Sequence, residues 1–316
     1  MDEINILLEG QNAITLFLTP IAMHEDITKT FRVMPRVKTK TRMYFAGALE
    51  GIIQKNTGCG WNAQGQLDIT DREIDPVRLK INLELCSDVF WDSIFENLLG
   101  LGLDIEKNPP LIIALIMRRV IEAIAKDIYV LGYFGDKTSA TAFLAQLDGI
   151  WALIGDEIAA TTITPEDASS GAALSSGEAY TILKNVVNNA PLELKQLPKE
   201  MKVLKVTSSI YENLQEYYEA LGVTQSYTLL VDGVARLTFR GMLLEEHPIW
   251  DQYLAANQHR VLYTVNENLV MATDVTDPES ELKMWEDTMK EEKFYVKGKF
   301  KMAFNYVHRK FMHVAV

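Results

Sequence analysis

Apolar and polar side chains alternate without a break between residues 77 and 85: Val77, Leu79, Ile81, Leu83 and Leu85 against Arg78, Lys80, Asn82 and Glu84. A period of two places each set on its own face of an extended chain, so this segment reads as a half-buried strand. The same period begins earlier, where Val37, Thr39 and Thr41 stand against Lys38, Lys40 and Arg42. Between them, residues 56–65 are rich in turn formers. Residues 36–86 therefore predict one long two-stranded excursion. A lone hairpin is at best marginally stable in water, so its apolar face is expected to lie on another body, such as a second subunit.

The pattern then changes period. Pro109 and Pro110 open a helix, since proline is tolerated in a first helical turn and not later. Ile113, Met117, Val120, Ile121, Ile124, Ile128 and Leu131 recur at three- and four-residue spacing on one face, and Gly132 supplies a stop. At 1.5 Å per residue the helix over 110–131 is a strut of about 30 Å. After it, the apolar run 141–155 is interrupted by Asp148-Gly149, a turn dipeptide that favours positive φ and redirects the chain. Ser175 and Glu178 form a capping box for a helix carrying Ile182, Leu183, Val186 and Val187.

A second unit has an α/β pattern. Residues 201–206 read as a strand. Ser209 and Glu212 cap a helix bearing Leu214, Tyr217, Tyr218 and Leu221, and Gly222 ends it. Strands at 228–231 and 234–239 are joined by Asp232-Gly233, a two-residue hairpin signal. A further hairpin is expected between 260–264 and 269–273. The last strand sets Phe294, Val296, Phe300, Met302 and Phe304 against Tyr295, Lys297, Lys299 and Lys301, with Gly298 interrupting the apolar row. Its apolar face must be core, and its lysine face is solvated or meets acidic partners.

Composition narrows the functional classes. The chain has 316 residues, 48% hydrophobic and 23% charged, an ordinary globular composition. Two cysteines, Cys59 and Cys86, make no disulfide framework. Met1-Asp2-Glu3 offers no basic n-region, so no export signal is expected. The longest apolar run stops at Arg118, far short of the roughly 20 residues a bilayer requires. A net charge of −12 repels nucleic acid at long range and disfavours sequence-specific DNA binding. No phosphate-binding glycine pattern occurs, Cys59 has no nearby histidine, His308 and His313 lack ligand spacing, and the acids around Pro278 lack calcium-loop spacing. No cofactor, metal or catalytic residue is expected.

With these elements in order, the chain resembles the major capsid proteins of tailed bacteriophages, the α+β fold named after phage Hong Kong 97. Similar local sequences are 128–136, 143–151, 237–241 and 268–274. The resemblance implies an N-terminal arm at 1–35, an extended loop at 36–90, and a peripheral domain at 91–191 and 276–316 with the spine helix at 110–131. The axial domain would be 192–275. It further implies a structural subunit that assembles as pentamers and hexamers into an icosahedral shell around double-stranded DNA, made in the bacterial cytoplasm and residing in the virion. Lys55, Asn56, Gly58, Gly60, Trp61 and Gly65 near the loop tip become candidates for contact with neighbouring subunits. In this reading Asp148-Gly149 lets Phe143, Leu144, Ile150 and Trp151 fold back over the peripheral sheet. No long charged scaffolding segment precedes the arm, which implies a separate scaffolding protein or none; portal and decoration proteins are further expected partners. Rival readings are an encapsulin-like compartment for a cargo enzyme, a soluble α/β metabolic enzyme and, third, a DNA-binding module.

Overall fold

The computed structural model describes residues 6–7, 30–47, 55, 69–86, 109–223, 227–231, 234–274, 283–287 and 293–316. In chain order the elements are β1 (Ile6–Leu7), β2 (Arg32–Met34), β3 (Thr41–Ala46), β4 (Ile69–Ile74), β5 (Val77–Cys86), α1 (Pro109–Phe134), α2 (Ile150–Ala159), α3 (Glu178–Asn189), α4 (Leu192–Gln196) and β6 (Lys202–Val206). There follow α5 (Ser208–Ala220), β7 (Thr228–Val231), β8 (Val234–Phe239), β9 (Met242–Glu246), α6 (Pro248–Tyr253), β10 (Val261–Val265), β11 (Leu269–Thr273), β12 (Lys283–Asp287), β13 (Lys293–Tyr306) and β14 (Met312–Ala315). The strands form two six-stranded sheets and a two-stranded ribbon.

The first sheet is organised by the 14-residue β13. On one side β13 pairs with β12 and then β11; on the other it pairs with β5, from Lys293 opposite Cys86 to Met302 opposite Val77. β1 pairs with β12, and β2 runs parallel to β11. The alternation in both long strands turns Val77, Leu79, Ile81, Val296, Phe300, Met302 and Phe304 towards α1, in one core. This corrects the predicted hairpin. The strand at 77–85 does not return to 36–42; the ribbon is β3 with β4, Thr41 opposite Ile74 and Ala46 opposite Ile69. Asp75-Pro76 separates β4 from β5. Proline cannot donate to a ladder, so the chain leaves the ribbon there and joins β13 instead.

Helix α1 runs to Phe134, past the expected stop. Gly132 is inside it, where a Cβ would lie 2.9 Å from the Phe304 ring. Val120, Ile124, Ile128 and Leu131 enter the core, as their spacing requires. Asp148-Gly149 also differs from expectation: Gly149 has φ −92° and ψ 179°, an extended N-cap of α2. The glycine is needed for close approach, because a Cβ would lie 2.6 Å from the Leu131 carbonyl oxygen and 2.8 Å from the Tyr133 carbonyl carbon. The Gly149 N–H donates to the Gly135 carbonyl at 2.8 Å, and the Asp148 carboxylate accepts from the Lys137 N–H and Nζ at 3.0 and 2.7 Å. Ile150 and Trp151 then enter the first core.

The second sheet has the order β14, β10, β6, β9, β8, β7, with β6 and β9 parallel. Helices α3 and α5 cover one face through Ile182, Leu183, Ile210 and Leu214. On the other face, Leu262, Met312 and Val314 meet the core that contains α1 and Trp250. A strand covered on both faces shows no alternation, and β6, β10 and β14 are buried at every position. This is why the 260–264 and 269–273 strands do not form the expected hairpin. β10 lies in the second sheet and β11 in the first, joined by a 3₁₀ turn at Asn266–Asn268. β14 lies in the second sheet, and α3 packs on that sheet as well.

Two caps also depart from expectation. The Glu178 carboxylate accepts from the Ser175 N–H and Oγ, both at 2.7 Å, which is the returning half of a capping box. The residue that caps α3 is Gly177, at φ 76°. Ser209 does not cap α5; its hydroxyl bonds His259 Nδ1 at 2.6 Å, while the Ser208 N–H donates to Asp251. Gly222, at φ 68°, closes α5 as expected. β7 and β8 pair with Val231 opposite Val234; residues 232–233 lie outside the described residues.

Candidate interaction surface

Among the described residues, the ribbon is the one two-stranded element outside both sheets. Its inner face puts Met43 and Ile74 with Val37 on Val270, Ala272 and Ala303 of the first sheet. Phe45 packs on His308 and Phe311, with ring centroids 4.6 and 5.1 Å apart. The dry face expected to need another body is therefore met, at the root, by the ribbon's own chain. On the ribbon's opposite face Tyr44 is 67% and Ile69 61% exposed, so apolar surface remains uncovered. Lys55 is exposed; Asn56, Gly58, Gly60, Trp61 and Gly65 lie outside the described residues.

A polar clamp fixes the root. Arg72 of β4 lies over the Tyr306 ring at 3.6 Å, donates through Nε to Asn305 Oδ1 at 2.7 Å, and donates through Nη1 to Glu157 Oε1 at 3.0 Å. Glu157, on α2, also accepts from the Tyr306 and Thr162 hydroxyls. Asn305 returns a bond from Nδ2 to the Glu73 carbonyl at 2.7 Å. Burial pushes the Glu157 pKa up, but the bonds from Thr162, Tyr306 and Arg72 outweigh it and hold it at about 2. Burial, then the bond to Glu157, pushes the Tyr306 phenol up. A planar guanidinium stacked on one ring and tied to two elements sets the direction in which the ribbon leaves.

A second polar group ties the second sheet to α1 and to Thr30. Lys205, fully buried on β6, donates to Glu245 of β9 and lies 3.3 Å from the Thr30 hydroxyl. His247 Nδ1 bonds the Tyr129 hydroxyl of α1, and its Nε2 is 3.8 Å from Glu245. Burial, then the Lys205 charge, holds the His247 imidazole well below its ordinary pKa. At the far end of the second sheet, Leu221, Tyr227 and Leu229 form a second exposed apolar group beside edge strand β7.

These arrangements anchor and present surfaces. Among the described residues, no group of three or more His, Cys, Asp or Glu could hold a metal, and no helix is long and apolar enough to cross a membrane. His308 and His313 stay apart: His308 Nδ1 accepts from the Lys310 N–H, whereas His313 faces Glu166 at 3.4 Å. The clamp escaped sequence reasoning because Arg72, Glu157 and Tyr306 are separated by 85 and 149 positions.

No protein-family model and no curated protein sequence matches this chain. Solved structures do. A chain of the satellite phage P4 procapsid, a particle that includes size determination (Sid) protein, superposes with a TM-score of 0.61 at 12% identity, over 95% of this chain and 97% of that one. The capsid chain of Myoviridae phage XM1 gives 0.55 at 11% identity, covering 92% and 90%. Cyanophage A-1(L) gives 0.53 at 13% identity, covering 90% and 89%. The chain therefore has the Hong Kong 97-type α+β fold anticipated from its element order.

Proposed function

We propose that this chain is the structural subunit of a phage-type icosahedral shell, acting through geometry and not through a reaction. The observation that carries this reading is the likeness to the P4 procapsid chain over 95% of the present chain. The clamped ribbon supports it, since an element fixed on one face and exposing apolar side chains on the other is shaped to meet a neighbour. Head-to-tail contacts between identical chains close rings, here pentamers and hexamers. The ribbon and arm bury much more per chain than the roughly 1,600 Å² of a standard interface. Double-stranded DNA is enclosed without sequence-specific binding, in keeping with a net charge of −12. A separate scaffolding protein, a portal and decoration proteins are the further partners, with assembly in the host cytoplasm and the virion as the final location. Lys55, Asn56, Gly58, Gly60, Trp61 and Gly65 are the proposed contacts on the neighbour. Negative-stain microscopy of the overexpressed chain tests the reading: closed shells are expected, and a monodisperse monomer or dimer overturns it. Particles filled with protein instead of nucleic acid would favour the compartment alternative.

A further inference from the structure

Strand β5 is an edge of the first sheet: over ten residues it pairs with β13 on one side, and no described strand pairs with the other. Beside that edge a cleft of about 920 Å³ opens between β5 and α1, with Leu79, Ile81, Ile124 and Ile128 in its apolar wall. Leu79 and Ile81 are half-buried and Leu83 is 37% exposed, so this row is incompletely covered. The opposite row of β5 carries Arg78, Lys80, Asn82 and Glu84. Behind it, Lys301 stands opposite Arg78 and Lys299 opposite Lys80. Like charges directly opposite one another disfavour a sheet pair, and this row of cations stands in a chain of net charge −12. Lys80, Lys297 and Lys299 form no ion pair among the described residues. Among the described residues, the carboxylates near the cations are Asp127, exposed on the cleft wall, Asp274, which accepts from the Lys301 N–H at 2.6 Å, and Glu84 at the far end of the row.

We infer that the β5 edge accepts an added strand from a separate protein, a segment in which acidic residues alternate with apolar ones. A strand added to an edge gains main-chain hydrogen bonds and places its side chains alternately on two faces. Acidic residues on one face would lie about 4.8 Å from Arg78 and Lys80, relieving the repulsion with Lys299 and Lys301. Apolar residues on the other would complete the row of Leu79, Ile81 and Leu83 over α1. The same cations keep the β5 edges of two copies from pairing.

The test uses the full-length chain and a fluorescein-labelled decapeptide of alternating glutamate and valine, read by fluorescence anisotropy. Saturable binding is expected, weakened at least about tenfold by Arg78→Glu with Lys80→Glu, a loss of the size that two charge-assisted contacts produce. Unchanged far-UV circular dichroism and thermal midpoint of the double variant confirm that it folds. N-methylating every second peptide residue supplies the decisive control, since only alternate N–H groups face β5. One frame should abolish binding and the other preserve it. Equal behaviour of the two frames, no binding of the unmodified peptide, or full retention by the double variant overturns the inference. So does a 20-base-pair DNA duplex that binds with the same dependence on Lys80, or a peptide of residues 1–12 that binds as tightly and points to a second copy.

Discussion

Lys205 with Glu245 and Arg72 with Glu157 are both cation–carboxylate pairs, but water reaches them differently. Lys205 is wholly buried between the sheets and Glu245 is 12% exposed, whereas Arg72 and Glu157 are 26% and 17% exposed at the ribbon root. A pair taken fully out of water carries a large desolvation cost, so losing one partner leaves a stranded charge. A partly wet guanidinium that is stacked on a ring and holds Glu157 and Asn305 through separate N–H groups contributes less to stability and more to direction. The first is expected to hold the two halves of the molecule in one arrangement. The second is expected to aim the ribbon.

The largest effect should come from stranding the buried carboxylate. Lys205→Met is expected to cost about 3–5 kcal/mol in urea denaturation, and adding Glu245→Leu should restore most of it. A single-variant loss below about 1 kcal/mol would erase the contrast between the anchors. Arg72→Ala should cost about 1–3 kcal/mol through its lost charged hydrogen bonds and ring contact. Arg72→Lys sharpens the comparison: it keeps the charge but not the planar fork, so stability should largely survive while particles seen by microscopy become irregular. Regular particles from both variants would remove the aiming role.

Acid should separate the anchors in sequence. His247 is held neutral in the folded chain, so the unfolded chain binds the extra proton and stability falls as pH drops below about 6.5. Glu157 has its folded pKa lowered to about 2, so its contribution is present above about 4.5 and is lost as pH falls from there towards 2. Thermal midpoints across pH should therefore decline in two stages, and His247→Phe should shrink only the upper one, to which His308 and His313, also lowered by burial, contribute the remainder. The smallest effect belongs to the ribbon's outer pairs. Lys40 and Glu73 are 57% and 41% exposed, and Lys40→Ala should change stability by less than about 1 kcal/mol.

Turn formers marked the Gly222 end of α5 and the β7–β8 hairpin, and periodicity alone determined the half-buried elements: the alternating strands at 77–85 and 294–304 and the α1 face from Val120 to Leu131. Each has one wet and one dry side, and that difference is written residue by residue. The order of these elements also sufficed for the fold. Only the tertiary structure decided which strand pairs with which. β5 left the ribbon at Pro76 for β13, and β10, β11 and β14, dry on both faces, carry no pattern that assigns them to a sheet. The reasons for Gly132 and Gly149 likewise lie in distant partners, the Phe304 ring and the end of α1. Neither anchor was legible, because a guanidinium, a carboxylate and a ring separated by scores of residues acquire meaning only when folding brings them within hydrogen-bond distance.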